Sequence, residues 1–197
     1  MIKPLVLPPT KRAYIDVESD PTSTLVWLVG VHIEEENKSY SFFANTPNEE
    51  KQMLAKLLTF LDSKPDLNLL AYSRADETLL RKRLTAQGLP LHLLLRITDI
   101  YADIHNCVAF PIPGLTLKEL AEFCGFHYRD SGMDGLRAAQ MYGSGQLKLR
   151  TKNRLIKYNE DDLLAVKQLV EYVERQFARR FAAQAGAGSS GSQPSLL

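Results

Sequence analysis

The sequence predicts an α/β domain built on a mixed central β-sheet, a three-strand antiparallel meander plus parallel strands, flanked by helices. Two observations lead there: three strand-like runs follow one another closely at residues 12–44, and helical stripes then alternate with short apolar runs. A third is the long amphipathic stripe near the carboxy terminus, Leu163, Val166, Leu169, Val170 and Val173, whose spacing is that of one buried helix face.

The elements follow in order. Arg12 to Glu18 alternates with period two, so Ala13, Ile15 and Val17 share one face and Tyr14, Asp16 and Glu18 the other. Leu25 to Ile33 is nearly all apolar, as expected of a strand covered on both faces, and Lys38 to Ala44 carries Tyr40, Phe42 and Phe43. A helix from about Asn48 bears Met53, Leu54, Leu57, Leu58 and Leu61 and ends before Pro65, crossing over to a buried strand near Leu67 to Tyr72. A helix with Leu79, Leu80 and Leu84 comes next, then a short strand at Leu94 to Asp99. Thr116 and Glu119 cap a further helix that stops at Gly125. Arg129 to Gly135 reads as a mobile loop without chemistry. One domain is expected over residues 1–182, with a disordered Gly/Ser/Ala-rich tail at 183–197.

Composition narrows the function. A chain of 197 residues, 45% hydrophobic and 24% charged, suffices for one well-buried core. A net charge of +1 excludes a protein that coats nucleic acid by bulk electrostatics. Cys107 and Cys124 lack metal-finger spacing and are expected as reduced thiols; His32, His92, His105 and His127 lack ligand spacing. The start, Met1 to Pro9, is too short and proline-broken for a signal peptide, and no apolar run is long enough to span a bilayer, so a cytoplasmic protein without membrane contact is expected.

Chemistry concentrates in acids. Asp16 and Glu18 point the same way from one strand. Asp76 stands in the first turn of the helix after a buried strand, where open α/β sheets place ligand sites, and Tyr158 and Asp162 project together from one helix face. Brought together, these side chains form a carboxylate cage for hard divalent cations. Each motif also has a purely structural reading: Asp16 and Glu18 as the approach to the turn Ser19-Asp20-Pro21, Asp76 in a capping box with Ser73, and Glu160 to Asp162 as acids at a helix beginning at Asn159.

The segments Asp16-Val17-Glu18, Tyr72-Ser73-Arg74-Ala75-Asp76 and Tyr158-Asn159-Glu160-Asp161-Asp162 resemble the three motifs of the DEDD exonucleases of the RNase H-like superfamily. With Val26 to Val31 and Leu115 to Leu120, they resemble more narrowly the RNase H-like nuclease domain often fused to RecB-like nucleases. The likeness spans residues 12–175. Lys157 occupies the histidine position before Asp162, whereas Tyr158 has the tyrosine spacing, so the resemblance is to the tyrosine subtype. Ala75 replaces a usual aromatic and Ser73 a usual asparagine, which leaves Asp76 and its neighbour Glu77 both open as the second-motif ligand.

The resemblance implies an RNase H-like fold and a hydrolase that releases 5′-mononucleotides from the 3′ end of single-stranded DNA or RNA. It implies two Mg2+ or Mn2+ ions, with Asp16 bridging, Glu18 and Asp162 completing one site, Asp76 supporting the other through water, and Tyr158 orienting the attacking water. A separate RecB-like nuclease or repair partner is a further implication. An internal cutter with the same carboxylates, or a silent binding module that keeps the fold, are the competing readings. Nucleic-acid contact is expected from Lys148, Arg150, Lys152, Arg154 and Lys157, which lead into the third motif; Arg81, Lys82 and Arg83 follow the second.

Overall fold

The computed structural model describes residues 11–145 and 147–187, and the side chains of these apart from 107 and 180–187. Five strands, β1 (Arg12–Ser19), β2 (Val26–Ile33), β3 (Lys38–Phe43), β4 (Asn68–Ala71) and β5 (Ile97–Asp99), form one sheet in the order β3-β2-β1-β4-β5. The first three are the antiparallel meander, and β4 and β5 join parallel to β1. The predicted mixed sheet is therefore the observed one.

Helices α1 (Glu50–Asp62), α2 (Arg74–Ala86), α3 (Tyr101–Cys107), α4 (Leu117–Phe123), α5 (Gly135–Gly143) and α6 (Leu149–Ala187) cover the sheet. Ala13 and Ile15 of β1 lie in one buried cluster with the α1 leucines and with Leu80 and Leu84 of α2. Tyr14, from the opposite face, packs with Leu163, Val166, Leu169, Val170 and Val173 of α6. A third cluster joins Trp27 and Leu28 to Tyr142 of α5 and Leu155 of α6, with Trp27 stacked on Tyr142 at 4.9 Å. All of β2 is buried, because helices pack on both of its faces.

The structure departs from the expected elements in five places. The strand expected at Leu94 to Asp99 is confined to Ile97–Asp99, since Leu93 and Leu94 turn inward on a 3-10 helix. Helices α3 and α5 have no counterpart among the expected elements; at the start of α3, Asp99 accepts from the Tyr101 amide at 2.9 Å. The expected mobile loop at 129–135 is instead anchored, for Arg129 pairs with Glu160 and Asp161, and Asp134 caps α5 through the Arg137 amide. Helix α6 begins at Leu149, well before Asn159, and runs to Ala187, into the segment expected to be a disordered tail; the remainder of that tail lies outside the described residues.

Helix ends otherwise behave as predicted. Thr116 and Glu119 form the reciprocal capping box of α4, and Gly125 follows with a φ of 89° that a side chain would strain. Cys124 is a free buried thiol, its pKa pushed up to about 11 by burial; the Cys107 side chain and Met1 to Pro9 lie outside the described set. Among the described residues no helix is long and apolar enough to cross a membrane.

Candidate metal centre

The parallel pairing of β1 with β4 brings the segment after β4 beside the carboxyl end of β1, while α6 crosses the face that carries Tyr14. Three elements thus deliver their acids to one place. One carboxylate oxygen each of Asp16, Glu18 and Asp162 lies within 4.8 Å of the others. Glu18 and Asp162 are buried and Asp16 is half-buried. Asp76, in the first turn of α2, adjoins this trio without joining its closest group: its Oδ1 accepts from the Val17 amide at 3.2 Å, midway between the two acids of β1.

That bond answers the structural reading of Asp76. Ser73 does cap α2, accepting from the Ala75 amide, but the Asp76 carboxylate turns to β1. Glu77, the alternative, is drawn away into an i,i+4 pair with Arg81 at 2.6 Å. Likewise the turn after β1 is organised by Asp20, which accepts from the Thr24 and Leu25 amides at 2.7 and 2.6 Å, leaving Asp16 and Glu18 outside it. No described histidine belongs to the group.

The charges are unmatched. None of Asp16, Glu18, Asp76 and Asp162 forms an ion pair among the described residues, and Lys118, which lowers the pKa of Asp162, directs its Nζ to the Ser131 carbonyl at 2.5 Å. Burial first, and then mutual repulsion, raise Asp16 and Glu18 well above the usual carboxylate range. Burial pushes Asp76 up to about 7, opposed by the Val17 amide and helped by Asp162 and Asp99. Asp162 is pushed up to about 6 by burial, held back by hydrogen bonding from Tyr158 and Tyr128.

Two residues at this centre are not among those the sequence singles out. Asn159, fully buried, donates from Nδ2 to Asp16 Oδ2 at 2.6 Å and more weakly to the Asp16 carbonyl. It fits only because Gly30, the β2 partner of Asp16, has no side chain: a Cβ there would stand 1.9 Å from Asn159 Oδ1. Tyr128 donates to Asp162 Oδ1 at 3.0 Å, and the next residue, Arg129, grips Asp161 through its amide and its Nε. The lone signal for Asn159 is its place inside the third motif. Tyr128 has none, because its loop meets α6 only in the folded chain.

A pocket of about 410 Å³ opens over these acids, with Tyr72, Asp76, Lys118, Tyr128, Tyr158 and Asp162 among its walls. An all-oxygen donor set, largely buried and without an ion pair among the described residues, fits a hard divalent ion, whose charge would offset the repulsion that raises the pKa values.

The five expected basic contacts do not form one surface. Arg150, Arg154 and Lys157 line a second pocket that shares Tyr158 with the first. Lys152 turns away to Asn45 (2.7 Å) and the Phe43 ring (4.8 Å), and Lys148 lines a separate depression with Arg137. Arg83 is tied up by Glu50. Helical periodicity explains the split, since residues two apart face different directions.

A mixed five-strand sheet with carboxylates on its first strand and on a helix laid across it defines an RNase H-like domain. The family model RNase_H_2, of the RNase H superfamily, matches residues 13–174, and the chain belongs to that family. The fold is similar to part of the family B DNA polymerase from the hyperthermophilic archaeon Pyrobaculum calidifontis, with a TM-score of 0.67 and 18% identity. That match covers 83% of this chain and 24% of the polymerase chain. No curated protein matches the sequence.

Proposed function

We propose that the protein is a metal-dependent nuclease, a 3′–5′ exonuclease of the tyrosine type acting on single-stranded DNA or RNA. The observation that carries this reading is the convergence of Asp16, Glu18 and Asp162 within 4.8 Å, beside Asp76 and one helical turn from Tyr158, with none of the four acids in an ion pair among the described residues. Two bound Mg2+ or Mn2+ ions would supply charge neutralisation and Lewis acidity at the scissile phosphate. Asp16, Glu18 and Asp162 would hold them, with Asp76 supporting from the other side.

The remaining roles belong to the chain's own groups. Asn159 fixes one oxygen of Asp16 by its 2.6 Å bond, so the carboxylate presents its other oxygen to the pocket. Burial and the surrounding carboxylates push the Tyr158 phenol far above its ordinary pKa in the metal-free centre, and with its hydroxyl beside Asp162 it would orient the attacking water by hydrogen bonding. Tyr128 and Tyr158 steady Asp162 together.

The test is digestion of 5′-labelled single-stranded DNA and RNA with Mg2+, Mn2+ or EDTA. A ladder of stepwise products that vanishes in EDTA is expected. Discrete internal fragments would replace the exonuclease by an internal cutter, and intact strands under every metal would make the domain a binding module.

A further inference from the structure

We propose that the pocket beside the metal centre, between the first turns of α6 and Arg129–Asp130, binds the phosphate backbone of the nucleic-acid strand next to the phosphate held over the carboxylates. The inference rests on the nuclease reading for what the neighbouring centre does, yet its own observations are separate. This cavity of about 600 Å³ lies beside the acid pocket, for Tyr158 belongs to the walls of both.

Its charge is arranged in two classes. Arg154 is held by Asp130 at 2.6 Å and Arg129 by Asp161 at 2.6 Å, so the two acids of the lining are already matched and the walls are braced. Arg150 and Lys157, both exposed, form no ion pair among the described residues. They stand two turns apart on one face of α6, about 10 Å along its axis, far enough to meet different phosphates of one strand. Leu149, 73% exposed, and the Tyr158 ring offer apolar surface in its walls for a sugar or base.

The need for such a surface follows from the acids themselves. A polyanion approaching four carboxylates is repelled, and a net charge of +1 supplies no attraction at a distance. Cations free of partners and adjacent to the acids provide it locally, and their contacts to phosphate read no base sequence.

The test is binding of a fluorescent single-stranded 12-mer, as DNA and as RNA, to the full chain by anisotropy, in EDTA and again with Ca2+. The charge-reversed variant Arg150→Glu/Lys157→Glu is expected to bind both strands at least tenfold more weakly. Its dependence of log K on log salt should be shallower by roughly 1.4, about 0.7 for each phosphate of a single strand that is no longer neutralised. Arg150→Lys/Lys157→Arg should bind like the wild type, and the Mn2+-induced rise in Tm should persist in the Glu variant, showing an intact fold. Equal affinity and salt slope in wild type and Glu variant, or no binding by the wild type in either buffer, overturns the proposal. Charge-dependent binding without cleavage under any metal sustains it while removing the nuclease reading.

Discussion

Two buried glutamates in this domain meet opposite surroundings. Glu50, at the start of α1, accepts from the Val26 amide at 2.7 Å, from Arg83 Nε and Nη2 at 2.8 and 2.6 Å, and from Gln87 at 2.6 Å. Burial opposes its charge, yet these bonds outweigh burial and hold its pKa below the usual value. Glu18, on β1, faces Asp162 and Asp76 in place of a cation, and burial together with those two acids raises it well above the usual value. A buried carboxylate that holds a fold together is given its partners by the chain; one left with like charges is the kind of group that a bound cation would stabilise.

The comparison can be broken most directly at its acid side. Asp16→Asn should abolish cleavage and the Mn2+-induced rise in Tm, while the metal-free protein melts no lower than wild type because one repelling charge is gone. Calorimetric melting with and without millimolar Mn2+ measures this, and a retained metal shift shows that Asp16 is no ligand. At the matched side the sign reverses: Glu50→Ala leaves Arg83 and the Val26 amide without their acceptor and should cost about 3–5 kcal/mol in denaturant unfolding. A loss below about 1 kcal/mol would place Glu50 with ordinary surface pairs.

Tyr158→Phe separates charge from positioning. It keeps the ring and the carboxylates, so the metal-induced Tm shift should survive while single-turnover cleavage slows by about 10²–10⁴-fold. A near-normal rate removes the phenol from the chemistry. Gly30→Ala puts a methyl against Asn159 and should destabilise by about 1–3 kcal/mol, with weakened metal binding as the Asn159–Asp16 bond is displaced. Unchanged metal affinity would mean that Asn159 does not fix Asp16.

The last test is the pH profile, which carries opposite signs for the two sites. Raised folded pKa values favour the protonated fold, so metal-free stability should fall as pH rises from about 4, where unfolded carboxylates ionise, through the values of about 6 and 7 for Asp162 and Asp76. Glu50 contributes in the other direction, its stabilisation being lost as pH falls below its ordinary value of 4.5. Saturating Mn2+ should invert the slope above pH 4, because the ion favours the ionised carboxylates. A metal-free Tm that climbs steadily from pH 4 to 7 contradicts the assignment of unmatched charge.

Local periodicity is enough to place Asp16 and Glu18 on one strand face, Asp76 at the first turn after a strand, and Tyr158 above Asp162, because each depends only on the repeat of its own element. The same local signals misjudge the length of α6 and group five basic residues that the fold sends in three directions. The partners of each acid are legible only in the fold. That Asp76 bonds Val17 while Glu77 pairs with Arg81, that Gly30 makes room for Asn159, and that Tyr128 reaches Asp162 all depend on which faces pack together across long separations in the chain. Periodicity aims a side chain, whereas burial and its neighbours, set by packing between distant segments, decide whether its charge is matched.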